Sequence, residues 1–247
     1  RAILNSLGSG SSSRVEVSVT IQEGLTVRQI FELLEKEGVS TVEKLNDMAA
    51  NHDYAFSFLE DIPLGDPNRL EGYLFPDTYN FYMGEDPKYV INKMLVNFDS
   101  KVDDSMRQKI ADKGYTIQEL LTVASMIEKE TDGTDRGKIA SVIYNRLCDP
   151  ANYPYLNIDA TIVYALGGID GALTYEDTQI DSPYNTYNRT GLPAGPISNP
   201  GLSSISAALN PADTSYYYYA LDDSTGLHHF SESYDEHQAF LAGQNDA

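Results

Sequence analysis

Two glutamates near the end of a predicted helix are the residues of this 247-residue chain best placed for acid–base chemistry. Apolar residues recur at spacings of three and four from Ile117 to Ile127, which predicts one buried helix face. On a helical wheel Glu128 falls within that face and Glu130 at its edge. Burial and the negative end of the helix dipole both raise a carboxyl pKa, so either group could act as a general acid. An ion pair to a neighbouring lysine or arginine is the ordinary alternative.

A loop over residues 182–201 is rich in tyrosine, asparagine, proline and glycine. Tyrosine rings can stack on sugar rings, and asparagine can both donate to and accept from hydroxyl and acetamido groups. The chain has 18 tyrosines and no tryptophan, so any sugar-stacking surface must use tyrosine or phenylalanine. Saccharide binding and a purely structural loop are equally good interpretations of this segment.

Three other carboxylates could contribute to a site. Asp159 is either a second catalytic carboxylate or a cap for the helical segment 161–165, and capping is the commoner role. Glu71 and Asp77 lie in an aromatic segment over residues 68–84, where they could bind substrate or hold loops together. Asp77 follows Pro76 in a predicted turn, which favours a structural role for it.

Several function classes are excluded by composition and motifs. The four histidines match no zinc-binding spacing, and the lone Cys148 allows no intrachain disulfide. There is no glycine-rich phosphate loop and no Gly-x-Ser-x-Gly elbow, so no metal or cofactor is expected. With 37 acidic against 17 basic residues the net charge is −20, which excludes nucleic acid as a partner and any binding through surface charge alone to an anionic polymer.

The surrounding pattern predicts an α+β fold in two parts. Residues 8–13 read as a flexible linker, and 15–21 alternate as a strand. Capping boxes begin helices at Thr26 and Thr116. The remaining predicted elements are helices near 41–50, 53–60, 87–100, 103–113, 135–147 and 235–242, and a buried strand over 216–220. No apolar segment is long enough to span a bilayer.

Five segments in register resemble one known family. They are Leu-Glu-Gly-Tyr-Leu-Phe-Pro-Asp-Thr-Tyr at 70–79, Ala-Ser-Met-Ile-Glu-Lys-Glu-Thr at 124–131, Val-Ile-Tyr-Asn-Arg-Leu at 142–147, the loop 182–201, and Gly-Leu-His-His-Phe at 226–230 followed by Glu-His at 236–237. Together they are similar to the YceG-like endolytic murein transglycosylases over about residues 15–240. The chain departs from the family pattern at Asn157-Ile158-Asp159-Ala160-Thr161, and its loop over 148–155 is longer than usual.

The resemblance implies a linker over 1–14, a LysM-like module over 15–62 and a catalytic domain over 63–247. It places the catalytic glutamate at Glu130, whereas the wheel alone favours Glu128. Further candidates for binding substrate are Glu71, Tyr79, Asn145, Asp159, Thr161, Tyr184, Asn185 and Tyr187. The implied partners are peptidoglycan glycan strands, cell-wall synthases of the elongation machinery, and a membrane reached through an upstream anchor, which would make this part extracytoplasmic.

The implied reaction cleaves the β-1,4 bond between N-acetylmuramic acid and N-acetylglucosamine without water. Glu130 would protonate the leaving oxygen and then accept the proton of the muramoyl 6-hydroxyl as that oxygen attacks C1, which leaves a 1,6-anhydro end. One acid therefore suffices. The alternatives are a hydrolytic muramidase, which would pair Glu130 with Asp159 or Glu71, and a non-catalytic peptidoglycan-binding scaffold.

Overall fold

The computed structural model describes residues 14–131, 133–222 and 224–245, so the predicted linker lies outside the described residues except for Arg14. The strands are β1 (Glu16–Thr20), β2 (Thr78–Tyr82), β3 (Tyr218–Asp222) and β4 (Leu227–Ser231). The α-helices are α1 (Val27–Lys36), α2 (Val42–Asn51), α3 (Pro87–Lys101), α4 (Asp104–Asp112), α5 (Ile117–Glu130), α6 (Arg136–Cys148), α7 (Asp159–Ala165), α8 (Leu202–Leu209) and α9 (Tyr234–Asn245). The predicted α+β class is confirmed.

The N-terminal part is a two-stranded antiparallel sheet packed with α1 and α2. Strand β1 pairs with β2 in a register that places Val19 opposite Tyr79. Helix α1 begins at the capping box predicted from Thr26, and its apolar face, which includes Phe31, is buried. Because β2 lies beyond residue 62, the predicted module boundary falls between two strands of one sheet.

Helix α5 lies at the centre of the second part. The capping box of Thr116 and Glu119 begins the helix as predicted, and every residue from Leu120 to Ile127 is buried. Helices α4, α6, α7 and α8 pack around it. A helix buried on nearly all sides has little freedom to shift, so the residues at its C-terminal end are held in fixed positions.

Two predicted elements were wrong. The helix near 53–60 is only a 3₁₀ turn over Ser57–Leu59. The strand predicted as buried over 216–220 is β3, which begins two residues later and forms a half-buried hairpin with β4. Helix α9 packs on this hairpin. Among the described residues, no helix combines the length and apolarity needed to cross a bilayer.

Candidate active site

Glu130 is the last residue of α5 and lies in the wall of a cavity of about 520 Å³. Helices α5 and α6 form one side of this cavity, the first turn of α7 and the preceding loop form another, and the β3–β4 hairpin covers it. The predicted site residues that line the cavity are Glu130, Asp159 and Tyr187. Three widely separated parts of the chain therefore meet here.

The surroundings of Glu130 favour a neutral carboxylic acid. Burial raises its pKa, and the negative charge of Asp159 raises it further. A hydrogen bond with the Tyr219 side chain and the nearby His228 act in the opposite direction. Within the described ranges, Glu130 takes part in no ion pair. The side chain can thus hold a proton and present it to the cavity.

Glu128 lies on the same helix but is used differently. Its carboxylate accepts a hydrogen bond from the backbone N–H of Gly201 at 2.9 Å, at the start of α8, and lies 4.0 Å from the Arg136 guanidinium. A carboxylate at a helix N-terminus is stabilised by the helix dipole. The ion-pair alternative considered for both glutamates therefore describes Glu128 and not Glu130.

Asp159 is the first residue of α7 and faces the cavity. The Tyr187 hydroxyl donates a hydrogen bond to its carboxylate. The capping role favoured from the sequence was wrong, because the N-cap residue is Ile158 and no side chain caps this helix. Asp159 is close enough to Glu130 to raise its pKa, so the cavity contains two carboxyl groups.

His228 and Asp135 form a polar pair beside Glu130 that the sequence interpretation missed. The His228 ring lines the cavity, and its Nδ1 lies 2.7 Å from the Asp135 carboxylate. The Thr131 hydroxyl donates to the other Asp135 oxygen at 2.7 Å. Although burial opposes it, these hydrogen bonds hold the pKa of Asp135 below its usual value. The resemblance to the family included His228, but without a role.

Four predicted substrate-binding residues make their polar contacts within the protein and do not line the Glu130 cavity. The side-chain amide of Asn145 donates to the backbone carbonyls of Thr214 and Tyr216. The side-chain amide of Asn185 donates to the backbone carbonyls of Thr178 and Ile180. The Thr161 hydroxyl bonds Ile158 and Thr186, and the Tyr79 hydroxyl donates to the Phe75 carbonyl. The contacts of Asn145 and Thr161 hold segments next to or within the cavity wall, whereas those of Asn185 and Tyr79 lie away from it.

Glu71 and Tyr184 lie at a second cavity of about 400 Å³. Glu71 is only 3% exposed and accepts hydrogen bonds from Val27 N, from the Asn199 amide at 2.9 Å and from the Tyr164 hydroxyl at 3.2 Å. These hydrogen bonds lower the pKa of Glu71, but burial has the larger effect and raises it to about 8. A third cavity, of about 820 Å³, lies along α2 and the end of β2, and no predicted site residue lines it.

The chain is similar to known proteins over most of its length. A model described as the YceG-like family matches residues 1–242. The chain belongs to the YceG-like family. A relative from Bacillus subtilis (strain 168) named endolytic murein transglycosylase is 34% identical, over 99% of this chain and 71% of that protein.

Other similar proteins agree with this membership. A protein of the same name from Streptococcus pneumoniae serotype 2 is 32% identical, over 92% of this chain and 44% of its own length. The crystal structure of a yceG-like protein from Listeria monocytogenes superposes with a TM-score of 0.78 at 34% identity, covering 90% of this chain and 75% of that one. The chain therefore spans less than half of the pneumococcal protein.

The loop between α6 and α7 contacts both α6 and the β3–β4 hairpin. The Arg146 guanidinium donates to the carbonyls of Tyr155 and Leu156 and to the Asn157 side chain. Tyr153 stacks on Tyr217, with ring centroids 4.2 Å apart. Asn157 has a φ of 56°, a left-handed conformation that asparagine tolerates better than most residues. This loop thus joins α6 to the hairpin that covers the cavity.

In the part of the chain that the structure describes, no group of three or more His, Cys, Asp or Glu side chains is arranged to hold a metal ion. What the cavity offers instead is a buried acid, a second carboxylate, tyrosine hydroxyls and a histidine–aspartate pair. These groups can move a proton and stabilise a developing positive charge.

Proposed function

We propose that this protein is an endolytic lytic transglycosylase that cleaves the β-1,4 bond between N-acetylmuramic acid and N-acetylglucosamine in peptidoglycan and leaves 1,6-anhydro ends. The observation that carries the proposal is the position of Glu130, a carboxyl group with a raised pKa and no ion-pair partner among the described residues, in the wall of a cavity. Its relatives named endolytic murein transglycosylase support the same activity.

In the catalytic cycle Glu130 gives up one proton and later regains one. Glu130 donates its proton to the glycosidic oxygen as the bond to C1 breaks, and the ring gains oxocarbenium character. The carboxylate of Asp159 stabilises that positive charge. Glu130, now ionised, accepts the proton of the muramoyl 6-hydroxyl while that oxygen bonds to C1, which restores the starting acid.

The hydrolytic alternative needs a second carboxylate that acts on water or on the sugar. Glu71 is unsuited to this, because it lines the other cavity and its carboxyl accepts hydrogen bonds from Val27 and Asn199. Asp159 shares the cavity with Glu130 but accepts a hydrogen bond from Tyr187. This arrangement supports a charge-stabilising role for Asp159 rather than that of a free base.

We also propose the wider setting that the family resemblance implies. Residues 15–62 form a LysM-like module, extended by β2, and residues 63–247 form the catalytic domain. The chain acts outside the cytoplasm and is held at the cell membrane by an upstream anchor. Its partners there are glycan strands and the synthases that elongate them, and its cleavage limits strand length. This setting would also suit a non-catalytic scaffold, so a cleavage assay decides between the two.

The test is digestion of purified peptidoglycan followed by mass analysis of the fragments. Wild-type protein yields fragments whose ends lack one water, and Glu130→Gln yields none, because an amide cannot donate the proton. Glu128→Gln is the matched control, since it removes a carboxylate two residues away that does not line the cavity, and it retains cleavage. Hydrated reducing ends would replace the proposal with a muramidase, and full activity of Glu130→Gln would refute the assignment of the acid.

A further inference from the structure

The second cavity is lined by residues along the length of α7, from Ala160 to Ala165, and so adjoins the catalytic one at Asp159. Its walls are the first turn of α1, the turn at residues 66–71, α7 and the loop over 182–184. Asp159, the first residue of α7, lines the Glu130 cavity, and Tyr164, five residues later, lines the second.

The two cavities share a rim. Lys129 lines both of them, and α7 contributes residues to both. A linear polymer whose scissile bond is at Glu130 can therefore continue past Lys129 and over α7 into the second cavity. An enzyme that cuts within strands must hold sugar units beyond the bond it breaks, and this cavity is adjacent to that bond.

The lining of the second cavity suits a sugar unit that carries a carboxylate. The rings of Tyr164 and Tyr184 lie 4.9 Å apart and are tilted by 60°, so they present aromatic surface to the cavity. Asn68 adds a side-chain amide that can donate and accept, and Gln29, whose Oε1 accepts from Thr26 N, adds a donor. A cation, Arg28, lies at one wall of a cavity in a protein whose net charge is −20.

The opposing charges in this cavity are few. Asp66 lines it, and so does Glu71. The Glu71 carboxyl is occupied by hydrogen bonds from Val27 and Asn199, and burial raises its pKa to about 8, which favours its neutral form. The cations of the lining are Lys129 and Arg28, whose guanidinium also donates to the Gly167 carbonyl and lies 3.8 Å from the exposed Glu32, so binding a substrate carboxylate would compete with that exposed ion pair.

We propose that the second cavity is a remote subsite for the same peptidoglycan strand, in which Tyr184 contacts a sugar unit and Arg28 binds a carboxylate of the attached peptide. This inference rests on the proposed function for the identity of the polymer. It assigns a binding role to a site whose residues take no part in proton transfer.

The experiment measures binding of long glycan strands, with and without their peptides, to Glu130→Gln protein, which does not consume them. Tyr184→Leu keeps apolar volume but removes the ring, and it weakens binding of both kinds of strand, by up to about tenfold. Arg28→Gln weakens binding of peptide-bearing strands only. Tyr175→Leu is the control, because Tyr175 is 79% exposed and lines none of the three cavities described, and it changes neither affinity.

The selective effect of Arg28→Gln separates a subsite from general damage to the fold, because a misfolded protein would lose both kinds of strand. Unchanged affinities in both Tyr184→Leu and Arg28→Gln, or equal losses in Tyr175→Leu, would overturn the subsite. If Tyr184→Leu does not fold, the Arg28→Gln result alone decides. Since binding is measured without cleavage, failure of the transglycosylase assay leaves this test intact.

Discussion

Glu128 and Glu130 are two residues apart, and a turn of about 200° between them gives the two carboxyl groups opposite surroundings. Glu128 points to the start of α8, where it accepts a hydrogen bond from Gly201 N–H and lies 4.0 Å from Arg136. Glu130 points to the cavity, where burial and Asp159 disfavour its charge. The wheel alone favours Glu128, because it shows only the position of each residue relative to the apolar face and not the tertiary neighbours by which the two glutamates differ.

The neighbours of Glu130 predict two shifts of opposite sign in the pH dependence of cleavage. The acid must be protonated, so activity falls as pH rises through its pKa. Tyr219→Phe removes a hydrogen bond that lowers this pKa, so the basic limb of the activity profile, where activity falls with rising pH, moves to higher pH. Asp159→Asn removes a charge that raises it, so the limb moves to lower pH, each by up to about one unit. The measurement is kcat/KM against pH.

The control for this pair is Tyr217→Phe. Tyr217 lines the same cavity, but its ring stacks on Tyr153, and it contributes to none of the causes of the Glu130 shift. Its pH profile should match the wild type. Shifts of the same sign in Tyr219→Phe and Asp159→Asn would mean that another group sets the basic limb.

Glu71 predicts a pH dependence of stability rather than of catalysis. Burial raises its folded pKa from 4.5 to about 8, so between these values the folded chain holds a proton that the unfolded chain releases. Its contribution to stability is therefore present below about pH 4.5 and is lost as pH rises to about 8, at up to ~1.4 kcal/mol per pH unit. Denaturant unfolding of wild type and Glu71→Gln at several pH values measures the difference.

The free energy of unfolding of the wild type should decline relative to Glu71→Gln across that window. A difference that stays constant with pH would show that Glu71 remains ionised in the folded protein, held by the donors Val27, Asn199 and Tyr164. Asp77→Asn is a suitable comparison, because hydrogen bonds from Asn97 and Thr78 lower the pKa of Asp77 from 3.8, so its contribution to stability is lost only as pH falls below that value and stays constant across the Glu71 window.

At the scale of elements, the sequence was most informative where local signals and periodicity agree. The capping boxes at Thr26 and Thr116 fixed the starts of α1 and α5, because the cap is made by residues three apart in the chain. The segment 53–60 misled because its apolar residues pack on distant rings, such as Phe58 on Tyr73, without forming a helix. Strand β3 was placed two residues early within a run of four tyrosines, where no alternation marks the start.

Gly72 shows how a motif residue serves the packing of elements. Its φ is +89°, and a Cβ there would lie 2.8 Å from two carbons of Pro196. Gly72→Ala should therefore lower the free energy of unfolding in two ways. Strain in the left-handed backbone should contribute about 1 kcal/mol or more, and the clash of the new Cβ with the rigid Pro196 ring should add to it. Gly84→Ala is the matched control, since its φ is +69° but nothing lies within 4 Å.

Thermal or denaturant unfolding should show a clearly larger loss of stability for Gly72→Ala than for Gly84→Ala. The difference isolates the close approach of the 70–79 segment to the 182–201 loop, since the backbone strain is shared by both variants. Equal losses would mean that Pro196 moves aside and that the glycine is needed only for its backbone conformation.

At the scale of the whole molecule, long-range contacts join the parts that the sequence interpretation separated. The fully buried Asn199 donates to Leu25 and Glu71 and accepts from Leu74 N at 2.9 Å. One side chain thus binds the start of α1, the aromatic segment and the loop before α8. Such contacts, like that between Tyr219 and Glu130, connect residues far apart in the chain, and no local pattern could reveal them.

The net charge of −20 predicts how the whole molecule binds its substrate. Peptide-bearing strands carry carboxylates, so the long-range interaction is repulsive, while the attraction to Arg28 acts at contact distance. Raising ionic strength from about 0.01 to about 0.15 M shortens the Debye length from about 30 to about 8 Å, which screens the long-range repulsion more than the attraction at contact distance.

Binding of Glu130→Gln protein to peptide-bearing strands should therefore strengthen with salt, whereas binding to an uncharged N-acetylglucosamine polymer should not change. A loss of affinity with salt on the charged strands alone would mean that a cationic surface, rather than the lining of the cavities, captures the polymer.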